Sequence, residues 1–132
     1  MNSEVITEPA RRVPVAGDYE VIVAGGGPSG FAAAIAAARA GAKTLLIEQQ
    51  SSVGGMSTSG MMSHFAGRVD SRLYRELLTR MHRDDRFGTP RPEAIDPELL
   101  KTTYLEMLNE AGVTLQLYTT VCGVHQTGNC VC

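Results

Sequence analysis

The sequence has no sustained run of lysine and arginine, and its 132 residues carry a formal net charge of −2. Nucleic acid and anionic lipid surfaces are bound through clustered positive charge, so neither is an expected partner. Nor is there an apolar run approaching the roughly 20 residues that a membrane span requires. The longest candidate, Phe31 to Ala38, is a small-residue helical stretch, and a soluble chain is expected. Residues 1–18 lack the basic start and apolar centre of a signal peptide. With Pro9 and Pro14 interrupting regular structure, they read as a polar lead-in to a domain over 19–132.

Cysteine is scarce. Cys122, Cys130 and Cys132 are odd in number, and Cys130-x-Cys132 is closer than the C-x-x-C spacing of redox and zinc sites. No histidine or aspartate cluster accompanies them, so no metal is expected. A metal or redox role would need residues from outside this stretch, and a reduced, cytoplasmic chain is the simplest reading. The remaining composition, 43% apolar and 20% charged, is that of an ordinary globular domain.

The most informative stretch is Glu20 to Glu48. An apolar run, Val21 to Ala24, leads into Gly25, Gly27 and Gly30, a G-x-G-x-x-G pattern that opens an alanine-rich helix. Gly25 permits the turn out of the strand, Gly27 lets backbone approach a pyrophosphate, and Gly30 lets helix and strand pack closely. Pro28 suits the first helical turn, where its missing N–H costs nothing. The free amides and dipole of that turn make an anion site. Gly41 is placed to end the helix, and Lys43 to Ile47 reads as a second parallel strand.

Glu48 follows Gly30 by eighteen positions, close to the spacing at which an acid meets the hydroxyls of an adenosine ribose. A carboxylate there accepts from an unphosphorylated ribose and repels a 2′-phosphate. The first strand, apolar throughout, is expected to lie central in its sheet with both faces buried. The segment 49–68 lacks sustained periodicity and reads as loop with at most one short helical turn; its Gly54-Gly55 pair could bring more backbone beside the pyrophosphate.

VIVAGGGPSGFAAAIAAARAGAKTLLIE, followed by SVGGMSTSG, resembles the amino-terminal part of FAD-dependent oxidoreductases of the two-dinucleotide-binding-domain type, related to fumarate reductase flavoproteins. The resemblance implies an α/β, Rossmann-like FAD/NAD(P)-binding fold with a parallel sheet, expected to be incomplete, and FAD as cofactor. It places Gly25, Gly27, Pro28, Ser29 and Gly30 around the pyrophosphate, Glu48 on the ribose and Gln49 beside the adenosine. It puts Gly54, Gly55, Met56, Ser57 and Thr58 along the passage to the ribityl chain and ring, and Val121 at the adenine. The family often has a basic residue after the acid, where this chain has Gln49-Gln50.

Beyond the loop, Leu73, Leu77, Leu78 and Met81 recur at helical spacing over 70–83, with Arg72, Arg75, Glu76 and Arg80 expected on a solvated face. Arg83 to Pro92 reads as a surface connection. Asp96-Pro97-Glu98 caps a further helix with Leu100, Tyr104, Met107, Leu108 and Ala111 as its buried stripe and Gly112 as its stop. Val113 to Tyr118 alternates as a further parallel strand, and Val121 to Cys132 reads as a hairpin.

His64 is the one histidine of the cofactor loop, where a catalytic or flavin-facing role stands open beside that of an ordinary polar loop residue; His82 and His125 call for no catalytic reading, and no catalytic residue is assigned. The chain is expected to be a fragment that grips the ADP moiety, with the remaining sheet and the site for a small-molecule substrate supplied by later sequence. Alone it is expected to bind FAD weakly and to turn nothing over. An NAD-binding dehydrogenase domain and a nonenzymatic nucleotide-binding module remain the alternatives; the oligomeric state is open.

Overall fold

A computed structural model describes residues 9–10, 12–62, 64–65, 70–82, 95–128 and 130–131. Half of the expected lead-in (1–8 and 11), the connection over 83–92, Asn129 and Cys132 lie outside the described residues. Strand β1, Val21–Ala24, is followed by helix α1, Pro28–Arg39, and strand β2, Thr44–Ile47. Helices α2, Arg72–His82, and α3, Pro97–Glu110, precede strand β3, Thr114–Gln116. The short strands β4, Gln126–Thr127, and β5, Cys130–Val131, pair antiparallel as the expected hairpin, although 121–125 is not strand.

β1, β2 and β3 form a parallel sheet in that order, with Val23, Leu46 and Leu115 in one row across it. This row faces α1 and α3 and joins a core built from Phe31, Ile35, Leu100, Tyr104, Met107 and Leu108. The alanines of α1 let it lie close to the strands, and the ring of Phe31 meets that of Tyr104 at 4.1 Å. The central strand is therefore β2. β1 pairs only with β2 among the described residues, and its Ile22 is 51% exposed. Within the described sheet β1 lies at the edge, where its sequence leads one to expect a central position. A continuous apolar run records a strand's capacity to be buried on two faces, and the described residues cover only one of them.

Local signals act where the sequence puts them. Asp96 Oδ1 accepts from the N–H groups of Glu98 and Leu99 at the start of α3. Ser71 Oγ accepts from Tyr74 N–H at the start of α2. Gly41 (φ +96°) and Gly112 (φ +76°) follow the ends of α1 and α3 in the left-handed region. Among the described residues no helix is long and apolar enough to cross a membrane.

The polar face of α2 is less solvated than its pattern implies. Arg39 of α1 forms two bonds to Glu76, at 2.7 and 2.9 Å, and Arg80 bonds both Glu76, at 2.8 Å, and Glu110 of α3, at 2.7 and 2.9 Å. The network ties all three helices together. Glu76 and Glu110 titrate below their usual range, through their bonds to Arg39 and Arg80 respectively. Because folding lowers these values, the stabilisation is complete above the ordinary glutamate pKa of about 4.3 and fades as pH falls through the lowered ones. The partly exposed pairs contribute modestly. Glu76→Gln is expected to lower Tm by roughly 2–6 °C at neutral pH and to flatten its decline below about pH 4.3. Thermal melts across pH check this; a variant that keeps the wild-type profile contradicts it.

Candidate functional site

The three parallel strands end along one edge of the sheet, β1 running into Gly25, β2 into Glu48 and β3 into Leu117 and Tyr118. In open α/β sheets this carboxyl edge is where ligands sit. Gly26 joins the pieces there. Its N–H donates to Glu48 Oε2 at 2.6 Å, and its carbonyl accepts from Gly54 N–H at 2.7 Å. Glu48 Oε1 accepts from Gln50 N–H at 2.8 Å. The backbone of Glu48 is held from the β3 side, donating to Gln116 O at 2.9 Å and accepting from Thr119 N–H at 3.0 Å.

Glu48 is only 6% exposed, and a buried carboxylate persists because it is hydrogen-bonded. Each of its oxygens accepts one amide and has a further lone pair to offer. The eighteen-residue spacing does not reveal this second role, in which the acid also fastens the glycine turn.

The glycines divide by what they do. Gly25 has φ +100°, the left-handed value that the turn requires. A Cβ on Gly30 would lie 1.8 Å from Gly25 O, so Gly30 is fixed by packing. Gly27 has φ −65° and a Cβ there would meet nothing within 4 Å. It stands before open space at the N-terminus of α1, which no side chain caps. Pro28 and Ser29 form the exposed first turn. Free amides and the positive end of the helix dipole thus face this open space, which makes a cradle.

Gly54 and Gly55, with φ +110° and +52°, close against that cradle; a Cβ on Gly55 would lie 3.3 Å from Gly27 Cα. Ser57 and Thr58, 3% and 0% exposed, brace this second turn from inside. Ser57 Oγ donates to Gly54 O at 2.7 Å, and Thr58 Oγ1 to Val53 O at 2.8 Å. Behind them lies the buried hydroxyl of Tyr104, 3.4 Å from Ser57 Oγ, its pKa raised by desolvation. Met56 is 65% exposed and Gln49 is exposed. A mainly apolar cavity of about 440 Å³ adjoins the first turn of α1, bordered by Ser29, Phe31, Met56, His64 and Tyr104. Val121, 45% exposed, lies three residues past Tyr118. The strands therefore bring Gly25–Gly30, Glu48 and Gly54–Thr58 together. Gly26, Val53 and Tyr104 were missed as supports because long-range pairing leaves no local pattern.

The sequence profile of the family described as FAD dependent oxidoreductase matches residues 20–132. The chain belongs to this family. A dihydrolipoyl dehydrogenase of Trypanosoma brucei brucei is 47% identical over 45 residues, 34% of this chain and 9% of that protein. Among solved structures, Lactococcus lactis thioredoxin reductase superposes with a TM-score of 0.58 at 24% identity, over 86% of this chain and 29% of that one. Thermovibrio ammonificans THI4 gives 0.56 at 26% identity, over 83% of this chain and 43% of that one. These likenesses agree with the parallel α/β fold, and the chain spans less than half the length of each protein. In this flavoprotein family member, the uncapped helix start and the carboxylate with spare lone pairs fit a pyrophosphate and a vicinal diol.

Two substitutions separate cradle from scaffold. Gly27→Val is expected to leave Tm within about 2 °C of wild type while removing nucleotide binding, whereas Gly30→Ala is expected to unfold or strongly destabilise the domain. Calorimetric melts with nucleotide titration check both; a Gly27→Val protein of normal affinity overturns the cradle. Glu48→Ala is expected to cost about 2–4 kcal/mol of stability without any ligand, because two amides lose a charged acceptor. A denaturant midpoint unchanged by this substitution would contradict the fastening role.

Proposed function

We propose that this chain grips the ADP moiety of FAD and forms the nucleotide-binding part of a flavin-dependent oxidoreductase acting on a small-molecule substrate. The observation that carries the reading is the open space in front of Gly27, set between the uncapped start of α1 and the Glu48 carboxylate. Amides of Ser29 and Gly30 would hold the pyrophosphate at the helix start, with Gly25 and Gly27 giving it room and Pro28 setting the turn. Glu48 would accept from the ribose hydroxyls through its remaining lone pairs, with Gln49 alongside. Gly54, Gly55 and Met56 would border the path toward the flavin, held in place by Ser57 and Thr58, and Val121 would border the adenine.

Bound flavin supplies the capacity to take a hydride or electrons from a substrate. The contribution of these residues is to bind and orient it. Glu48 also disfavours a 2′-phosphate by charge repulsion, so a phosphorylated nicotinamide cofactor is a poor fit. The odd number of cysteines suits a reducing, cytoplasmic setting.

Native purification of the full-length gene product tests the reading. It is expected to be yellow and to release FAD on denaturation. Release of NAD would instead favour a nicotinamide dehydrogenase, to which Glu48 is equally suited. Bound nucleotide without flavin, and without redox activity, would favour a simple binding module.

A further inference from the structure

Tyr118 combines three properties. Its φ of +53° lies in the left-handed region, unusual and strained for a bulky side chain. Its side chain is not buried for packing, since the residue is 78% exposed. Its backbone is held firmly on both sides: Tyr118 N–H donates to Gln50 O at 3.2 Å, and Thr119 N–H donates to Glu48 O at 3.0 Å. An aromatic residue with strained backbone and an exposed ring gains no buried contact in the described chain that would offset the strain. Such residues concentrate at ligand clamps.

Strand order supplies the ligand. Along the carboxyl edge, the glycine turn follows β1, Glu48 follows β2 and Tyr118 follows β3. Neighbouring strands lie about 4.8 Å apart, so the edge presents an anion cradle, a diol acceptor and an aromatic ring at successive steps. An adenosine diphosphate presents phosphate, ribose and base in the same succession. On the reading of this edge as an ADP grip, we infer that Tyr118 is the base platform and that its ring stacks on the adenine. The exposed ring belongs to a residue two positions past the end of β3. This goes beyond the contact expected of Val121, which lies three residues farther along.

The test uses the full-length protein and calorimetric titration with two probes, ADP and inorganic pyrophosphate, the second having no base. Tyr118→Ala is expected to weaken ADP roughly 5- to 50-fold, the range for loss of one base–aromatic stack, and to leave pyrophosphate affinity unchanged. Tyr118→Trp should restore ADP binding. Tyr118→Gly, which relieves the strained backbone, should leave Tm equal or higher while still losing ADP affinity; a residue kept only for structure would not separate the two. Equal weakening of both probes, no change in ADP binding, or failure of Tyr118→Trp to rescue overturns the proposal. A wild-type protein that binds neither probe removes the ADP grip itself, whereas normal wild-type binding with an inert Tyr118 removes only the platform.

Discussion

The two hydrogen bonds of Gly26 are the constraint on which this site depends. One runs from its N–H to the Glu48 carboxylate at 2.6 Å, and the other reaches its carbonyl from Gly54 N–H at 2.7 Å. Through a single peptide neighbourhood the turn after β1, the acid after β2 and the second glycine pair become one piece. Every other feature of the grip is placed relative to it. Gly27 faces outward because Gly26 is tied inward, and Gly55 approaches Gly27 because Gly54 is anchored to Gly26. A site assembled without a ligand does not lose binding free energy to ordering its own backbone.

The rest of the fold supports that piece from behind. α1 lies on β1 and β2 and against α3, while Tyr104 of α3 fills the space between Phe31 and the brace at Ser57. The charged bonds from Arg39 and Arg80 fasten the outer surfaces of the three helices. Left-handed backbone occurs along the ligand edge at Gly25, Gly54, Gly55 and Tyr118, and elsewhere at Met61, at Gly41 and Gly112 past the helix ends, and at Gly128 in the hairpin. Packing sets the frame, and four of the left-handed residues fall along the carboxyl edge of the sheet.

Much of this was legible in the sequence wherever the signal is local. The glycine spacing, the caps at Asp96, Gly41 and Gly112, and the helical stripe Leu100, Tyr104, Met107 and Leu108 each depend on residues within one or two turns. What was illegible depends on pairing across the chain. The apolar letters of Val21–Ala24 do not say which strands flank them, and within the described sheet only β2 does. Glu76 and Arg80 have the spacing of a solvated face, and only the packing of α1 and α3 turns them into a network. The spacing of Glu48 marks it as a candidate ribose acceptor, but its bond to Gly26 spans 22 positions and leaves no motif. Ser57 and Thr58 were expected along a passage; their burial makes them braces of the turn.

On the proposed function, the glycine turn is assembled before any nucleotide arrives and would grip the pyrophosphate at the start of α1. Residue-resolved amide hydrogen exchange with and without ADP tests it most directly. The Gly26 and Gly54 amides are expected to be protected in the ligand-free protein, and Ser29 and Gly30 to gain protection when ADP is added. Rapid exchange at Gly26 and Gly54 without ligand, or ADP-induced protection that spares Ser29 and Gly30, would contradict it.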